Sequence, residues 1–304
     1  MKKPMPKQRQ TVLHVSAAQA LLDFLLSKMG GMTKNAVSQM LGHRQVSVNG
    51  VIQTRHDYLL SSGDEVVVTT GVAARELTHP KLSVVYEDDS LVVVEKKPGL
   101  LTVATCQGSR EVTCFSLLKN YVRQKNPRAG IYVVHRLDRE TSGLLVFAKT
   151  PELQHYMREY WRELVTKRTY VAVAEGIFDK KEGQIKTWLT EDENTTVVYS
   201  SPVDDGGKVA ITNYRVIKET NNSAVGQYSL VELNLETGRK NQIRVHLRGI
   251  GHPVAGDRKY GSGAEPPVDR LALHAMVLEF IHPVTEQTLH FETPVPREFM
   301  RLFS

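Results

Sequence analysis

From residue 82 onwards the sequence is dominated by short runs of apolar and β-branched residues, which are typical of β-strands. Helical periodicity in this part of the chain is clearest over residues 115–124 and 151–164. The pattern predicts an α+β domain over residues 82–304, built on a large mixed or antiparallel sheet with flanking helices. The strand-like runs are "LSVVYEDDSLVVVEKKPG", "GLLVFAK", "RTYVAVAEG", "VAITNYRVIK", "YSLVELNLETG" and "LALHAMVLEFIHP".

The beginning of the chain follows a different pattern. A helical spacing starts directly after Ser16, the expected N-cap, and stops at Gly30, and a second helix is predicted over residues 33–41. The segment "QVSVNGVIQ" then alternates apolar and polar residues around Asn49 and Gly50, which predicts a β-hairpin, and "SSGDEVVVTT" adds another strand. Two helices and a small sheet therefore make up a separate module.

These two patterns divide the chain of 304 residues into two domains, in keeping with a length of roughly 150 residues per domain. We predict a flexible basic tail over residues 1–10, the small module over residues 11–72 and the large domain over residues 82–304. The segment between them, residues 73–81, has no clear period and includes a proline, so it is predicted to be a linker.

The charge distribution indicates an anionic partner. The chain has 39 Lys and Arg against 33 Asp and Glu, a formal net charge of +6. Residues 1–70 hold eight of the bases and four of the acids, so +4 of the net charge lies in the first module. No apolar run approaches the roughly 20 residues that span a bilayer, and we expect a cytoplasmic protein. Cys106 and Cys114 fit neither a zinc nor a redox spacing.

The stretch "VVHRLDRETSGLLVFAKT" places one carboxylate, Asp138, between Arg136 and Arg139, just before a run that must be buried. A loop fixed by a rigid strand is a common position for catalytic residues, and residues 141–143 are predicted to form a tight polar turn there. A neighbouring cation favours the ionised carboxylate, which could act as a nucleophile or a base. The alternative interpretation is an ordinary surface ion pair.

A second cluster of charge lies in "ETGRKNQIRVHLRGIGHPVAGDRKYG". Its period fits a helix, in which Arg244 lies one turn from Arg248, and equally a strand. Both geometries align cations in a way that suits a phosphate backbone, and the alternative is a solvated basic face. The cluster comprises Arg239, Lys240, Arg244, Arg248, His246 and His252. A separate segment, "TKRTYVAVAEG", places Tyr170 on a strand, where a tyrosine most often packs half-buried.

Together and in this order, these segments resemble the RluA/RluD-type RNA pseudouridine synthases over roughly residues 82–291. The matching pieces are "VVEKKPGLLTV", "HRLDRETSGLLVFAK", "KRTYVAVAEG", "TGRKNQIRVHLRGIGHPVAGDRKYG" and "RLALHAMVLEFIHPVT". The first module resembles the small RNA-binding domain of ribosomal protein S-four, through its two helices, "VSVNG" and "LSSGDEVVV". Lys34 stands where that domain usually has arginine, and Arg44 replaces a frequent glycine.

The resemblance implies an enzyme that isomerises uridine in RNA to pseudouridine. Asp138 falls on the essential aspartate of the family, and Arg244 on the basic residue that pairs with it. Tyr170 matches the tyrosine that packs against the flipped base. Arg136 matches an arginine that fills the space the base leaves. Asn241 departs from the histidine that many relatives carry at its position.

The resemblance also implies the partners. We expect the remaining cations to bind RNA, and ribosomal RNA of the large subunit is the favoured substrate, with transfer RNA as the alternative. No metal and no organic cofactor are implied, because the leaving base is also the incoming one and the electrons balance. A monomer is the default expectation. The cations expected to bind RNA are Arg239, Lys240, Arg248, Lys34 and Arg44.

Two other functions compete with this one. A catalytically silent RNA-binding or ribosome-assembly factor could keep the same fold, but it would be free to lose the three proposed catalytic residues, and all three are present. An unrelated enzyme acting on acidic metabolites would leave the basic first module unexplained.

Overall fold

The chain forms two compact units, Met1–Glu76 and Leu77–Ser304, each with hydrophobic core clusters of its own. The computed structural model describes residues 9–30, 32, 34, 37, 40–41, 45–53, 55–70, 77–104, 109–222, 226–263, 265 and 267–304.

Among its described residues, the first unit has a four-stranded sheet in the order β1-β6-β3-β4, a two-stranded pair β2-β5 and a helix, α1. The predicted hairpin is confirmed: β3 and β4 pair antiparallel, and Asn49 and Gly50 between them have φ of 50° and 80°, as a tight two-residue turn requires. The elements are β1 (Arg9–His14), β2 (Gln19–Ala20), α1 (Leu21–Lys28), β3 (Val46–Val48), β4 (Val51–Ile52), β5 (Leu59–Leu60) and β6 (Glu65–Thr70).

The first helix begins later than predicted. Ser16 is not its N-cap; α1 starts at Leu21, and Ala20 before it has an extended backbone and caps the helix without a side-chain hydrogen bond. Ala20 instead pairs with Leu59 in the short β2-β5 ladder, and the Leu21 amide donates to the Tyr58 carbonyl at 2.8 Å. Long-range strand pairing therefore overrides the local helical spacing.

Two other predictions in this unit are tested in part. Residues 1–8 of the predicted tail lie outside the described residues, whereas Arg9 is already in β1, opposite Thr70. The predicted helix over residues 33–41 is also only partly described. Its described helical residues are Lys34, Val37, Met40 and Leu41.

The second unit is a large mixed sheet with flanking helices, so the predicted α+β class is confirmed. Its strand order is β13-β12-β14-β15-β11-β16-β10-β8-β7, with β9 added beside β10 and β17 beside β16. Of the described strand pairs, β10–β16 is the parallel one. The strands are β7 (Leu82–Glu87), β8 (Leu91–Lys96), β9 (Tyr132–Val133), β10 (Ser142–Ala148), β11 (Lys167–Glu175), β12 (Glu182–Glu191), β13 (Val198–Ser201), β14 (Lys208–Asn222), β15 (Gly226–Leu235), β16 (Leu273–Ile281) and β17 (Thr288–Glu292).

Strand β10 lies between β16 and β8 in this sheet, and all seven of its residues are buried. It begins earlier than predicted, because Ser142 and Gly143 belong to the strand and not to a polar turn. Gly143 has φ of 115°, and a Cβ there would lie 2.1 Å from the Ala275 carbonyl oxygen. A glycine is therefore required where β10 and β16 meet.

The helices pack on this sheet. The helix predicted over residues 115–124 is confirmed as α2, which Thr113 caps by accepting a hydrogen bond from the Ser116 amide at 3.1 Å. The helix predicted over residues 151–164 is interrupted at Tyr160. No helix in the described residues is long and apolar enough to cross a bilayer. The helices are α2 (Cys114–Lys125), α3 (Pro151–Glu159), α4 (Trp161–Leu164), α5 (Gln242–Gly249) and α6 (Arg297–Met300), followed by a 3-10 helix (Arg301–Phe303).

Candidate active site

Asp138 lies in the loop between β9 and β10, and the backbone on both sides of it is fixed. Before it, the Leu137 amide donates to Thr102 Oγ1 at 3.1 Å, and the same hydroxyl donates to the Leu137 carbonyl at 2.8 Å. After it, the Arg139 carbonyl accepts hydrogen bonds from the Gly99 amide and from Lys96 Nζ, both at 2.9 Å. These bonds hold the loop against its neighbours, so the position of the carboxylate is defined before any ligand binds.

The Asp138 carboxylate is bonded to Arg244 of helix α5. Arg244 Nη1 donates to Asp138 Oδ2 at 2.9 Å. The other edge of the guanidinium is bound by Asp257, which accepts from Nε at 2.6 Å and from Nη2 at 2.7 Å. A bidentate pair fixes the plane of a guanidinium, and the third nitrogen is therefore directed at Asp138.

This network is largely removed from water. The side chain of Asp257 is 0% exposed and that of Arg244 is 12% exposed, whereas Asp138 keeps 27% exposure. Burial opposes the charge on Arg244, but the hydrogen bonds and charges of Asp257 and Asp138 outweigh it and raise the pKa of the guanidinium. Burial also works against the charge of Asp257, and its bonds to Arg244 nevertheless lower the pKa of that carboxyl. The pair is therefore charged near neutral pH.

Two further side chains complete the surroundings of Arg244. Its Nη1 also donates to Asn241 Oδ1 at 3.2 Å, and its guanidinium lies over the ring of Tyr260, 5.0 Å from the centroid. The Asn241 amide donates in turn to the Tyr260 hydroxyl at 3.0 Å. Asn241 thus contacts both the guanidinium and the tyrosine beside it.

Tyr170 lies on β11, opposite Leu233 of β15 and Ala275 of β16. It is 8% exposed, and burial raises the pKa of its hydroxyl. Tyr170, Asp138 and Arg244 line one small cavity of about 70 Å³. The structure therefore brings together the three residues that the sequence predicts to be catalytic.

Asp138 and Arg244 also line a larger cavity of about 870 Å³. Its wall continues along the turn that carries Asp257, Arg258 and Lys259. Pockets that bind small organic groups generally measure about 300–1,000 Å³, so this cavity has room for a nucleoside. A carboxylate at the junction of the two cavities can reach a bound ring as a nucleophile or a base.

The cations predicted to contact RNA differ in their positions. Arg136 is exposed and lines the small cavity beside Asp138. Arg239 lines the same cavity, and its Nε donates to the Val209 carbonyl at 3.0 Å. These two arginines are therefore next to the predicted catalytic residues.

Other predicted cations lie elsewhere. Lys240 pairs with Glu191 and lines a different cavity, and Arg248 is exposed near the end of α5 and lines none of the three cavities described here. Lys34 is exposed in the first unit, and Arg44 lies outside the described residues.

The two histidines of the basic segment are structural. His246 is fully buried between the hydroxyls of Thr187 and Thr212, each at 2.9 Å, and burial lowers its pKa to about 4. His252 stacks on Phe178 with ring centroids 3.8 Å apart. Both side chains are engaged in packing within the fold.

Sequence reasoning missed three residues that hold this site: Asp257, Thr102 and Lys96. Asp257 lies in "GDRKYG", and its signal is an acid between two glycines soon after a basic segment. Lys96 has a fully buried side chain, and burial lowers its pKa to about 8. Nothing local distinguishes Thr102 or Lys96, because their partners are 35 and 43 residues away in the sequence.

Several known proteins are similar to this chain in sequence. A model of the family described as RNA pseudouridylate synthase matches residues 90–248. The ribosomal large subunit pseudouridine synthase D of Neisseria meningitidis serogroup B is 35% identical over 303 residues, which cover 93% of this chain and 78% of that protein. An uncharacterized RNA pseudouridine synthase of Bacillus subtilis, YhcT, is 31% identical over 273 residues, 89% of this chain and 88% of the relative.

Solved structures agree with the sequence matches. Human RNA pseudouridylate synthase domain containing 1 aligns with a TM-score of 0.56 and 26% identity, over 71% of this chain and 86% of the other. Human RNA pseudouridylate synthase domain containing 4, at 23% identity, supports the fold with a TM-score of 0.57. The chain belongs to the RNA pseudouridylate synthase family and isomerises uridine in RNA to pseudouridine, as its motifs predicted.

Proposed function

We propose that this enzyme modifies ribosomal RNA of the large subunit, with Asp138 as the catalytic residue. The observation that carries the catalytic assignment is the contact of Asp138 with Arg244 beside a cavity that Tyr170 also lines. The substrate proposal is supported by relatives at 31–36% identity that are named for the large ribosomal subunit. The protein would act as a monomer in the cytoplasm, where ribosomal RNA is available to it.

The proposed reaction breaks the bond from C1′ of the ribose to N1 of uracil and forms a bond from C1′ to C5. N1 gains a proton and C5 loses one, so the product is an isomer and no electrons are exchanged. Asp138 takes part directly, by attacking the sugar, by attacking the ring or by removing a proton from the sugar. Arg244 orients the carboxylate, and Asp257 orients Arg244.

A uridine within a stacked strand cannot reach Asp138, so the nucleotide must be extruded, at a cost of a few kcal/mol. In our proposal the uracil packs against Tyr170, and Arg136 occupies the space that the base leaves in the RNA. The position of Arg136 supports this role, because it is exposed at the edge of the cavity that Asp138 lines.

The first unit is proposed to dock on RNA, as its resemblance to the S-four domain and its +4 charge suggest. Lys34 and Arg44 would contact phosphates there, and Arg239, Lys240 and Arg248 would do so in the second unit. Contacts of this kind position the substrate without reading its sequence.

The test is to incubate the purified protein with large-subunit ribosomal RNA and, separately, with transfer RNA, and to map pseudouridine by chemical labelling. We expect new pseudouridine at one or a few positions of the ribosomal RNA. Modification of transfer RNA instead would contradict the proposal that ribosomal RNA is the substrate. Tight binding to both RNAs without any new pseudouridine would favour the silent binding factor.

A further inference from the structure

A third cavity, the one that Lys240 lines, measures about 430 Å³ and lies in the same unit as the active site. It is bordered by the end of β12, the start of β13, the start of β14 and the turn that leads into α5. Three cations line it, Lys208, Arg239 and Lys240, together with one carboxylate, Glu191. The charge of its wall is therefore positive by two, and an anion is the ligand that it favours.

The third cavity adjoins the active site. Arg239 lines both the third cavity and the small cavity of Asp138, Tyr170 and Arg244. The two cavities therefore share one arginine in their walls. A strand of RNA with its uridine at Asp138 has neighbouring phosphates that must leave the active site along some surface, and this cavity is next to it.

The three cations differ in how far they are already paired. Lys208 is exposed, and its side chain has no hydrogen bond or ion pair within the described residues. The Nε of Arg239 is bound to the Val209 carbonyl, which fixes the side chain and leaves its terminal nitrogens without a described acceptor. Lys240 pairs with Glu191 across the wall. Lys208 and Arg239 are thus available to an incoming anion.

Two acids near the cavity need to be considered, Asp204 and Asp205. Neither lines the cavity. Each accepts a hydrogen bond from a backbone amide of its own turn, Asp204 from Gly206 and Asp205 from Gly207, both at 3.1 Å. One oxygen of each carboxylate is therefore engaged within the turn, and neither carboxylate pairs with Lys208 or Arg239 within the described residues.

We propose that this cavity is a phosphate subsite, in which Lys208 and Arg239 bind a backbone phosphate of the substrate RNA close to the target uridine. The inference rests on the proposed function, since it requires an RNA strand that passes through the active site. It adds Lys208 to the RNA-binding residues and gives it one particular phosphate as its partner. A point charge on a flexible stem suits such a contact.

The test measures RNA affinity for Lys208→Ala beside a matched control, Lys218→Ala. Lys218 is exposed on the same strand, β14, and lines none of the three cavities. We expect Lys208→Ala to raise the Kd for RNA roughly three- to fivefold and to lower the salt slope by about one. Lys208→Arg should restore most of the affinity, and Lys218→Ala should leave the Kd unchanged.

The partner is identified by placing a neutral methylphosphonate at each position around the target uridine in turn. At one position the substitution should weaken binding of the wild type but have little effect on Lys208→Ala, because the contact is already lost. Equal losses in both proteins at every position would overturn the inference, and so would equal affinities of the two alanine variants. If the wild type forms no pseudouridine in this RNA, the proposed function fails first, and the inference with it.

Discussion

Helix α5 and its surroundings hold the same kind of cation in two different settings. Arg244 is 12% exposed and donates hydrogen bonds to two carboxylates, which fix the plane of its guanidinium. Lys208 and Arg248 are exposed and have no described ion pair, and Lys240 makes its pair at 40% exposure. A charge pair removed from water is screened little by salt, whereas an exposed one is screened strongly.

The comparison separates two tasks. The buried network of Asp138, Arg244 and Asp257 fixes the geometry of a carboxylate, so changes there should act on the chemical step. The exposed cations are proposed to contact the RNA as single charges, so changes there should act on affinity and on its dependence on salt. Variants of Asp138, Asp257 and Arg248 and removal of residues 1–72 test that division.

The largest effect is expected from Asp138→Asn. The amide keeps the shape of the side chain but can serve neither as nucleophile nor as base, so kcat should fall by roughly 10³-fold or more. The Kd for RNA should stay within about twofold, because the neutral amide replaces a carboxylate that binds no phosphate. Single-turnover assays with saturating RNA measure the first quantity, and filter binding measures the second. An Asn variant with near-normal turnover would remove Asp138 from the chemistry.

A smaller loss of turnover is expected from Asp257→Asn. Arg244 then loses one of its charged acceptors, and its Nη1 is no longer directed firmly at Asp138, so kcat should fall by about 10²-fold. The free energy of unfolding should also fall, by about 3–5 kcal/mol, because the guanidinium remains buried with part of its compensation gone.

Assays of Asp257→Asn must therefore be run well below its unfolding midpoint, with the Kd for RNA as the control. Unchanged turnover in the folded variant would mean that Asp257 stabilises the fold without positioning Arg244.

Removal of residues 1–72 should act on affinity. The second unit has its own hydrophobic core, so the remaining chain should fold. Because +4 of the net charge lies in residues 1–70, the Kd should rise more than kcat falls, and the affinity should depend less steeply on salt. Titrations at several salt concentrations check this. A truncated protein that binds RNA as tightly as the full chain would argue against a docking role for the first unit.

Arg248→Ala should have a small effect, although Arg248 lies one helical turn from Arg244. Its side chain is exposed and unpaired within the described residues, so we expect less than a fivefold rise in Kd and no change in the free energy of unfolding beyond about 0.5 kcal/mol. Thermal unfolding and RNA binding measure the two effects. A large loss of turnover would show that Arg248, although exposed, acts on the chemical step as Arg244 is expected to do.

EDTA should have no effect on turnover of a short RNA whose folding needs no metal. The base that leaves is the base that returns, so the reaction itself requires no electron transfer and no added group. Loss of activity that one particular metal ion restores would contradict this expectation.

The sequence predicted the proposed catalytic residues better than the residues that hold them in position. Strand β10 was evident because a run buried on both faces is continuously apolar. The helix α5 was ambiguous, because its cations fit two periods. In the structure the segment is a helix, and its first residue, Gln242, donates to the Ile211 carbonyl and to the Thr212 hydroxyl of β14. A contact 30 residues away leaves no local signal.

The same limit explains the errors. The ladder between β2 and β5 displaced the start of α1 from the predicted cap at Ser16, because strand pairing with a distant segment outweighed helical spacing. Asp257 was missed since it is 13 residues from Arg244 and beyond the end of the helix. The motifs contain the residues proposed to be catalytic, whereas Asp257 reaches Arg244 only through the fold.

The most direct test of the account is to map pseudouridine in large-subunit ribosomal RNA from cells that lack this protein. The cells would then be supplied either with the wild type or with Asp138→Asn at equal abundance. We expect one or a few pseudouridines to be missing from these cells, to return with the wild type and to stay absent with the variant. Their return with Asp138→Asn would contradict it.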